Sequence, residues 1–510
     1  MRFTKLLGKQ TKKSPIMKAG LALVSVGTLV SAVATPASAA ASAPPHYPFT
    51  VTIMTAGSQL THAAPNSPLW EQLQKDTRAN INVNWITSSN YDTKVSVELA
   101  SGAPPMIMRI IHFNSDVDSA AESGAFWDLT PYIKHYKYLA AISPIIYNNI
   151  KINGQIYGIP AVRNLASYGI VYRKDWLKNV GLPVPKTITQ FYNMLYAFTY
   201  DDPNKDGKND TYGMALSSDL YPLGDFMPAF GVPNGFALKR GKLIPAQQTQ
   251  GYIEALAWFH KLYVNKLINQ NFPEVPVTNE EQPFLNGQAG VVVRLTNAND
   301  FITQNPSLKG KIGVLGPLKG PGGIGDYGSG GNDGMFVIPK AAVKTVAELK
   351  QVLSFLNAMS SPTVENLLYY GVKGQNYKLS KKGLVIPINQ NNTADTTQMN
   401  DVLELTPLVP SSITMKTQET ALQKQVTHIE TVSDIKHLVN NPVASLYSQT
   451  EVEDGTQLST ILSNAEVQFI AGQISFSGVE QANQQWLKDG GQQVINQYQA
   501  DLVKSKSKSK

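Results

Sequence analysis

The sequence predicts an α/β protein with two or more domains. Strand-like and helix-like segments alternate along the first part of the chain, which is typical of a parallel sheet with helices on both faces. The chain has 510 residues, more than a single domain usually holds. It contains no cysteine, so hydrophobic cores rather than disulfides must stabilise the domains.

A βαβαβ unit follows an extended leader at residues 41–48. Its strands and helices are predicted, in chain order, at Phe49–Met54, Pro68–Thr77, Ile81–Ile86, Asp92–Ala100 and Met106–His112. Turn residues then bracket a further predicted strand, Ser167–Tyr172. The order strand, helix, strand is what favours a parallel sheet here.

The rest of the chain is richer in helices. An apolar stripe with helical spacing predicts a helix over Gly251–Leu267. Strands are predicted at Gly290–Leu295 and Gly334–Ile338, on either side of a glycine-rich segment. Two helices, Val479–Lys488 and Gln492–Lys504, are predicted to end the fold.

Three glycines of the glycine-rich segment, Gly320, Gly322 and Gly325, have the spacing of a dinucleotide-binding fingerprint. That fingerprint requires a helix directly after the glycines, because the helix N-terminus holds the pyrophosphate. A strand is predicted here instead. We therefore interpret the segment as a mobile loop.

Residues 1–39 predict an export signal. A basic start precedes an apolar run at Ala19–Val33, and Ala37-Ser38-Ala39 has the small residues of a cleavage site. The apolar run is too short to span a bilayer. We expect a protein located outside the cytoplasm, at the cell surface or in the periplasm, without a lipid-anchor cysteine.

The basic net charge comes from the two ends of the chain. The formal charge is +7, and the signal holds six Lys/Arg and no acid, which leaves about +1 without the signal. The segment 504–510 carries four lysines, so the remaining body is near −3. This balance excludes a basic nucleic-acid-binding face. The segment 504–510 is predicted to be disordered.

Composition favours binding of neutral polyols over catalysis. Charged residues make up only 16% of the chain, and Asn, Gln, Ser, Thr and Tyr are plentiful. The sequence has no HExxH, GxSxG or P-loop motif. A carboxylate pair of the kind used by glycosidases stays open, because carboxylates are abundant and their separation is not readable from sequence.

The segment 200–213 has the oxygen spacing of a calcium loop. Asp202, Asn204, Asp206 and Asp210 lie at offsets 0, 2, 4 and 8, and Gly207 permits the sharp turn. A glycine occupies the twelfth position, where a full EF-hand has a bidentate Glu. The alternative is a surface turn rich in Asp, Asn and Gly.

Loop aromatics and one arginine are candidates for ligand contact. Tyr221, Phe226 and Tyr327 lie among Pro and Gly residues, where an aromatic ring can stack on sugar C–H groups. Arg294 ends an apolar strand and can donate several hydrogen bonds to a ligand. A salt bridge within the protein is the alternative role for Arg294.

Nearly the whole chain after the signal resembles extracellular solute-binding proteins of ABC importers. The similarity is to the carbohydrate-type family 1, especially its large branch related to alginate-binding proteins. The most specific segment, Val171–Thr187, runs into the calcium loop. The other segments that carry the resemblance are Leu99–Ile110, Gly124–Lys134, Ile152–Pro160, Phe284–Val293 and Trp486–Tyr498.

The resemblance implies a two-lobed, periplasmic-binding-protein-like (Venus flytrap) fold whose lobes are joined by crossover strands. The expected N-terminal lobe comprises residues 40–162 and 290–360, and the C-terminal lobe 163–289 and 361–503. It also implies a structural calcium bound by Asp202, Asn204, Asp206 and Asp210 and by the backbone carbonyl of Lys208. Thr211 stands where these relatives have a Glu, and Ala103 and Met106 stand where they have Asp.

The chain is therefore interpreted as a calcium-stabilised receptor, not an enzyme, that captures an oligosaccharide and delivers it to an ABC transporter permease. We expect a monomer that closes on its ligand by a hinge motion. Asn114 and Asn332, on loops next to strands, join Tyr221, Phe226, Tyr327 and Arg294 as predicted cleft residues. A secreted glycoside hydrolase and a surface-associated structural protein are the alternatives.

Overall fold

The structure is a computed structural model that describes residues 47–57, 67–166, 169–388, 402–407 and 415–508. The predicted export signal lies outside these ranges, as do the last two residues of the predicted disordered segment. Within the described ranges, no helix is both long enough and apolar enough to cross a membrane.

The first lobe is built on a five-stranded sheet with the order β2-β1-β3-β12-β4. Strands β1 and β2 are parallel, as are β1 and β3, whereas β12 runs antiparallel to both β3 and β4. The five strands are β1 (Thr50–Ala56), β2 (Asn80–Ile86), β3 (Ile107–Ile110), β4 (Gly158–Val162) and β12 (Asn332–Val337).

Helices of the first lobe cover this sheet and bury one large core. The lobe contains α1 (Pro68–Thr77), α2 (Tyr91–Ser101), α3 (Ser115–Glu122), α4 (Pro144–Asn149), α11 (Val346–Met359) and α12 (Pro362–Tyr370). Helix α1 shows why they form where they do. Ser67 accepts a hydrogen bond from the Trp70 amide as N-cap, Pro68 opens the helix, and Leu73 is fully buried in the core.

The second lobe is built on a four-stranded sheet with the order β10-β5-β9-β6. Strand β5 runs antiparallel to β9 and β10, and β6 runs parallel to β9. The strands are β5 (Ile170–Arg173), β6 (Tyr212–Met214), β9 (Ala289–Val292) and β10 (Ile312–Leu315). Its core includes the fully buried Trp176, Phe191 and Phe226.

Shorter elements and a C-terminal group of helices complete the described chain. Three two-stranded sheets pair β7 (Phe236–Lys239) with β8 (Lys242–Pro245), β11 (Asp326–Tyr327) with β15 (Leu438–Val439), and β13 (Tyr377–Leu379) with β14 (Val385–Pro387). The remaining α-helices are α5 (Lys174–Asn179), α6 (Ile188–Tyr200), α7 (Leu223–Phe226), α8 (Gln250–Val264), α9 (Gln282–Leu285), α10 (Ala298–Gln304), α13 (Ala421–His428), α14 (Asp434–Lys436), α15 (Gln449–Ile470), α16 (Phe476–Trp486) and α17 (Gln492–Lys508).

Strand pairing corrects the predicted lobe boundaries. Residues 290–360 were expected in the N-terminal lobe, but β9 and β10 pair with β5 in the second sheet. Residues 361–503 were expected in the C-terminal lobe, but α12 and Val402 bury their side chains in the core of the first. The chain therefore passes between the lobes later than predicted, because hydrogen-bonded partners rather than position in the sequence assign a strand to its sheet.

Two local predictions are also corrected. Helix α17 continues to Lys508, so residues 504–508 are helical rather than disordered. Lysine is a good helix former, and the buried Leu502 anchors the last turns. The glycine-rich segment is packed rather than mobile, because a Cβ on Gly322 would lie 2.0 Å from the Gly231 nitrogen.

Candidate functional site

The two lobes meet where the chain crosses between the sheets. Residues 163–166 leave β4 in the direction of β5, and residues 328–331 lead back from β11 to β12. These segments run side by side, since the Arg163 amide donates to the Gly331 carbonyl at 2.8 Å and the Ser329 amide to the Leu165 carbonyl at 2.7 Å. The carboxyl ends of β1, β3, β4, β6 and β9 lie at the sheet edges next to the crossings, the usual place for ligands in open α/β sheets.

An interlobe cavity of about 460 Å³ lies next to the second crossing segment, since its lining residue Asn149 donates a side-chain hydrogen bond to the Gly330 carbonyl at 3.0 Å. The first lobe supplies one wall from Phe113, α3 and residues 149–153, and the second lobe supplies the other from residues 444–449 and α17. Its lining is mixed, with aromatic, amide, hydroxyl and charged side chains. The polar and aromatic members of the lining include Phe113, Asp118, Glu122, Lys151, Asn153, Tyr447, Ser448, Gln497, Tyr498, Asp501 and Lys504.

Helix α3 positions the carboxylates of the first wall. Asn114 caps this helix by accepting a hydrogen bond from the Val117 amide at 3.0 Å. Asp118 and Glu122 are four residues apart, so both project from the same face of the helix toward the cavity. The Asn153 side-chain amide donates to Glu122 Oε1 at 2.6 Å, which ties the helix to the loop before β4.

Helix α17 fixes the second wall by side-chain hydrogen bonds. Gln497 Oε1 accepts from the Ser448 hydroxyl at 2.6 Å and from the Thr450 amide at 3.0 Å. Asp501 Oδ2 accepts from the Tyr447 amide at 3.1 Å. These contacts hold the start of α15 against α17, so both present their side chains to the cavity as one surface.

Carboxylates of the two lobes influence one another across the cavity. Burial, followed by the negative charges of Glu122 and Asp501, raises the pKa of Asp118 to about 6. Burial also raises the pKa of Tyr447, followed by the charges of Asp118, Glu453 and Glu122. The cavity is thus a region where negative charge from both lobes is concentrated.

A second polar cluster stabilises the edge of the first sheet near the crossings. Arg109 is only 1% exposed and donates to Asp333 Oδ2 at 2.6 Å and to Glu404. Arg163, about a third exposed, also contacts Asp333 at 3.1 Å. Asp333 lies in β12 and Arg163 follows β4. These ion pairs therefore link the strand before the first crossing segment to the strand after the second.

Arg294 forms the salt bridge that the sequence left as its alternative role. Its guanidinium contacts Glu280 at 2.7 Å, and its carbon Cζ lies 3.8 Å from the centre of the Tyr221 ring. Burial raises the pKa of Glu280 to about 7, although the charge of Arg294 opposes this rise. Arg294 and Tyr221 are therefore brought together at the strand-end edge of the second lobe.

The other predicted cleft residues have structural contacts. The Tyr327 hydroxyl donates to the carbonyl of Pro233 at 3.1 Å, and Asn332 Oδ1 accepts from the Gly334 amide at 3.2 Å. Asn114 is the cap of α3 described above. The prediction for Phe226 is wrong, because this ring is fully buried against Phe191 and aromatic residues of α8. None of the six predicted residues is among those that line the interlobe cavity.

The segment 202–210 folds into a turn held by its own carboxylates. The Asp202 carboxylate accepts from the amides of Asp206 and Gly207, both at 3.1 Å, and Gly207 has φ of +77°. Asp206 Oδ1 accepts from the Lys208 amide at 2.9 Å. The donor types suit calcium, but within the described ranges no three His, Cys, Asp or Glu side chains converge as a metal site.

The cavity residues were missed because they come from distant parts of the sequence. Asp118 and Asp501 are separated by most of the chain, and no motif joins them. One signal was available for the first wall. Two acids four residues apart on a helix that directly follows a strand point to the cleft edge of a sheet.

Comparison with known proteins agrees with this architecture. The family model described as "Bacterial extracellular solute-binding protein" matches residues 57–366. "Lipoprotein LipO" of Bacillus subtilis (strain 168) is 36% identical over 84% of this chain and 87% of its own. "Polygalacturonan/rhamnogalacturonan-binding protein YtcQ" of the same strain is 32% identical over 87% of this chain and 89% of its own.

A solved structure shows the same fold. It is titled "HMO binding ABC-transporter associated Solute Binding Protein" from Bifidobacterium longum infantis ATCC 15697. It aligns with a TM-score of 0.69 and 17% identity over 89% of this chain and 99% of that chain. The predicted two-lobed α/β fold is confirmed. With its matching family model and its two relatives above 30% identity, the chain belongs to the bacterial extracellular solute-binding proteins.

Proposed function

We propose that this protein is the substrate-binding component of an ABC importer, which captures an oligosaccharide in the interlobe cavity and delivers it to a membrane permease. The observation that carries the proposal is a cavity of about 460 Å³ whose walls come from both lobes. A ligand that contacts both walls stabilises the closed arrangement of the lobes. Such closure gives a permease a way to distinguish the loaded receptor from the empty one.

The lining of the cavity suits a sugar. Its volume falls in the range typical of small-ligand sites. Phe113, Tyr447 and Tyr498 supply aromatic faces for sugar C–H groups, and Asn153 and Gln497 supply amides for hydroxyl groups. One relative is named a polygalacturonan/rhamnogalacturonan-binding protein, which also supports an oligosaccharide as the ligand class.

We propose that the receptor binds without turnover, outside the cytoplasmic membrane, as a monomer. The relatives named above are a lipoprotein and a binding protein, which favours a receptor over a glycoside hydrolase. The family description is extracellular, which supports the location. A hydrolase would release reducing ends from the oligosaccharide that it binds, so assay of reducing sugar with the bound ligand distinguishes the two functions.

We further propose that the segment 202–210 binds a structural calcium ion. Asp202, Asn204, Asp206 and Asp210 would supply side-chain oxygens and Lys208 a backbone carbonyl. The ion would brace the connection between α6 and β6. The Asn179 side-chain amide, which donates to the Pro203 carbonyl at 2.8 Å, already holds this connection against α5.

The proposed function is tested by a thermal-shift screen of the protein against oligosaccharides, with calcium present. A ligand at 100 times its Kd stabilises the folded protein by about 2.7 kcal/mol. We expect at least one oligosaccharide to raise Tm by several degrees, with no product formed on prolonged incubation. No response to any sugar in a broad panel would contradict the proposal and favour the surface-associated structural protein.

A further inference from the structure

We infer that the interlobe cavity selects a neutral oligosaccharide over an acidic one composed of uronates. This inference rests on the proposed function and names the substrate class of the same site. The inferred ligand preference differs from that of the relative named a polygalacturonan/rhamnogalacturonan-binding protein. The charge and hydrogen-bonding capacity of the cavity walls support it.

The cavity carries an excess of negative charge. Asp118 and Glu122 line the first wall and Asp501 lines the second, while the lining lysines are Lys151 and Lys504. Glu122 and Asp501 both disfavour ionisation of Asp118, which places each of these two carboxylates within electrostatic reach of Asp118. A uronate carboxylate entering this space would meet like charges from both lobes, which disfavours its binding.

The same carboxylates are well matched to sugar hydroxyl groups. An ionised Asp or Glu only accepts hydrogen bonds, and each of its oxygens can accept more than one. Hydroxyl groups are donors, and hydrogen bonds to charged acceptors are the stronger kind. Asp118 on one wall and Asp501 on the other would each accept a hydrogen bond from a bound sugar. The sugar would then connect the two lobes, whose carboxylates otherwise repel each other.

The arginines near the lobe crossings are already paired within the protein. Arg109 and Arg163 both contact Asp333, and Arg294 contacts Glu280. None of these arginines lines the cavity. The planar, bidentate groups that usually recognise carboxylates are therefore engaged elsewhere.

The test is titration calorimetry with matched neutral and acidic trisaccharides at low ionic strength. The probes are galactotriose, maltotriose, xylotriose and 1-kestose on the neutral side, and trigalacturonate, which differs from α-1,4-galactotriose at C6, on the acidic side. We expect the tightest neutral sugar to bind at least about tenfold more tightly than trigalacturonate. A trigalacturonate affinity equal to or higher than that of every neutral probe would overturn the inference and leave the proposed function intact.

A double variant tests whether the carboxylates cause the selectivity. Asp118→Asn with Asp501→Asn keeps the side-chain size and removes two of the three negative charges. We expect this variant to narrow the ratio of neutral to acidic affinity at least about tenfold, whereas Glu254→Gln, an exposed residue outside the cavity, leaves it unchanged. An unchanged ratio in the double variant would overturn the inference. Absence of binding to any probe by the wild type would instead count against the proposed function itself.

Discussion

Asp118 of the first lobe and Asp501 of the second lie on opposite walls of the interlobe cavity, and the charge of Asp501 raises the pKa of Asp118. The like charges of these two carboxylates oppose approach of the lobes when no ligand lies between them. The receptor therefore has a physical reason to stay open when empty. A ligand that donates hydrogen bonds to both groups removes that opposition.

The first prediction concerns the pH dependence of Asp118. Its pKa is raised to about 6 in the folded protein, so its contribution to stability is present at low pH and is lost as the pH rises through about 6. We expect Asp118→Asn to raise the free energy of unfolding at pH 8 by about 1 kcal/mol, discounted for partial exposure, and to change it little at pH 4. Denaturant unfolding at the two pH values measures this, and an equal effect at both would contradict it.

The second prediction is a larger dependence of the free energy of unfolding on pH, caused by Glu365 in the core of the first lobe. It is fully buried, and neither carboxyl oxygen has a hydrogen-bond partner among the described residues. Burial raises its pKa to about 9. The folded protein therefore retains a proton that the unfolded chain releases above pH 4.5, and the stability from this group is lost as the pH rises from there toward 9.

The matched variant for this effect is Glu365→Gln, which cannot ionise. We expect it to remove a slope of up to about 1.4 kcal/mol per pH unit from the free energy of unfolding between pH 5 and pH 9. Glu254→Gln, an exposed change, should keep the wild-type slope. If Glu365→Gln has the same slope as the wild type, the carboxyl group is not protonated in the folded protein.

A third prediction concerns the close packing of Gly322. A Cβ at this position would meet the Phe230 carbonyl carbon at 2.2 Å and the Gly231 nitrogen at 2.0 Å. Gly322→Ala is expected to cost about 2–4 kcal/mol, because backbone rather than a flexible side chain must move. The neighbouring Gly323→Ala meets no atom within 4 Å but has φ of +123°, so it tests backbone strain alone. Equal losses of stability in the two variants would show that close backbone packing at Gly322 adds nothing to the cost of the substitution.

The fourth prediction concerns the buried Arg109. Removing its buried side chain leaves a cavity and takes the main cationic partner from Asp333 and Glu404, and we expect Arg109→Ala to lower the free energy of unfolding by about 2–4 kcal/mol. Arg163→Ala removes a partner of the same carboxylates that is about a third exposed, with an expected cost below about 1 kcal/mol. Similar costs for the two changes would show that burial does not set the strength of this cluster.

The fifth prediction tests the proposed calcium ion. Chelation with EDTA is expected to lower Tm by several degrees, and added calcium, but not magnesium, to restore it. Asp206→Asn keeps an acceptor for the Lys208 amide but lowers the charge of the loop, so it should weaken calcium binding at least tenfold. Asp201→Asn, just outside the ligand set, is the control. A Tm that does not depend on calcium would support the alternative of a surface turn.

The sequence was sufficient for features that local chemistry specifies. Helix α1 has the bounds predicted for it, Pro68–Thr77, and the structure shows that Ser67 caps it and Pro68 opens it. Strands β1, β2 and β3 lie within a few residues of their predicted positions, because β-branched and apolar runs favour strands wherever they pair. The segments around Val171–Thr187 indicated the family, which the comparisons confirm.

The interlobe site and the lobe boundaries depended on contacts that no local pattern records. Gly290–Leu295 was correctly predicted as a strand, but its pairing with β5 placed it in the second lobe. Phe226 lies among turn residues, yet packing against α8 buries it completely. Asp118 and Asp501 became one site only through folding, because residues far apart in the chain are brought together by the packing of whole lobes. The sequence by itself therefore determined the elements and the family, and the tertiary structure decided which side chains share the cavity.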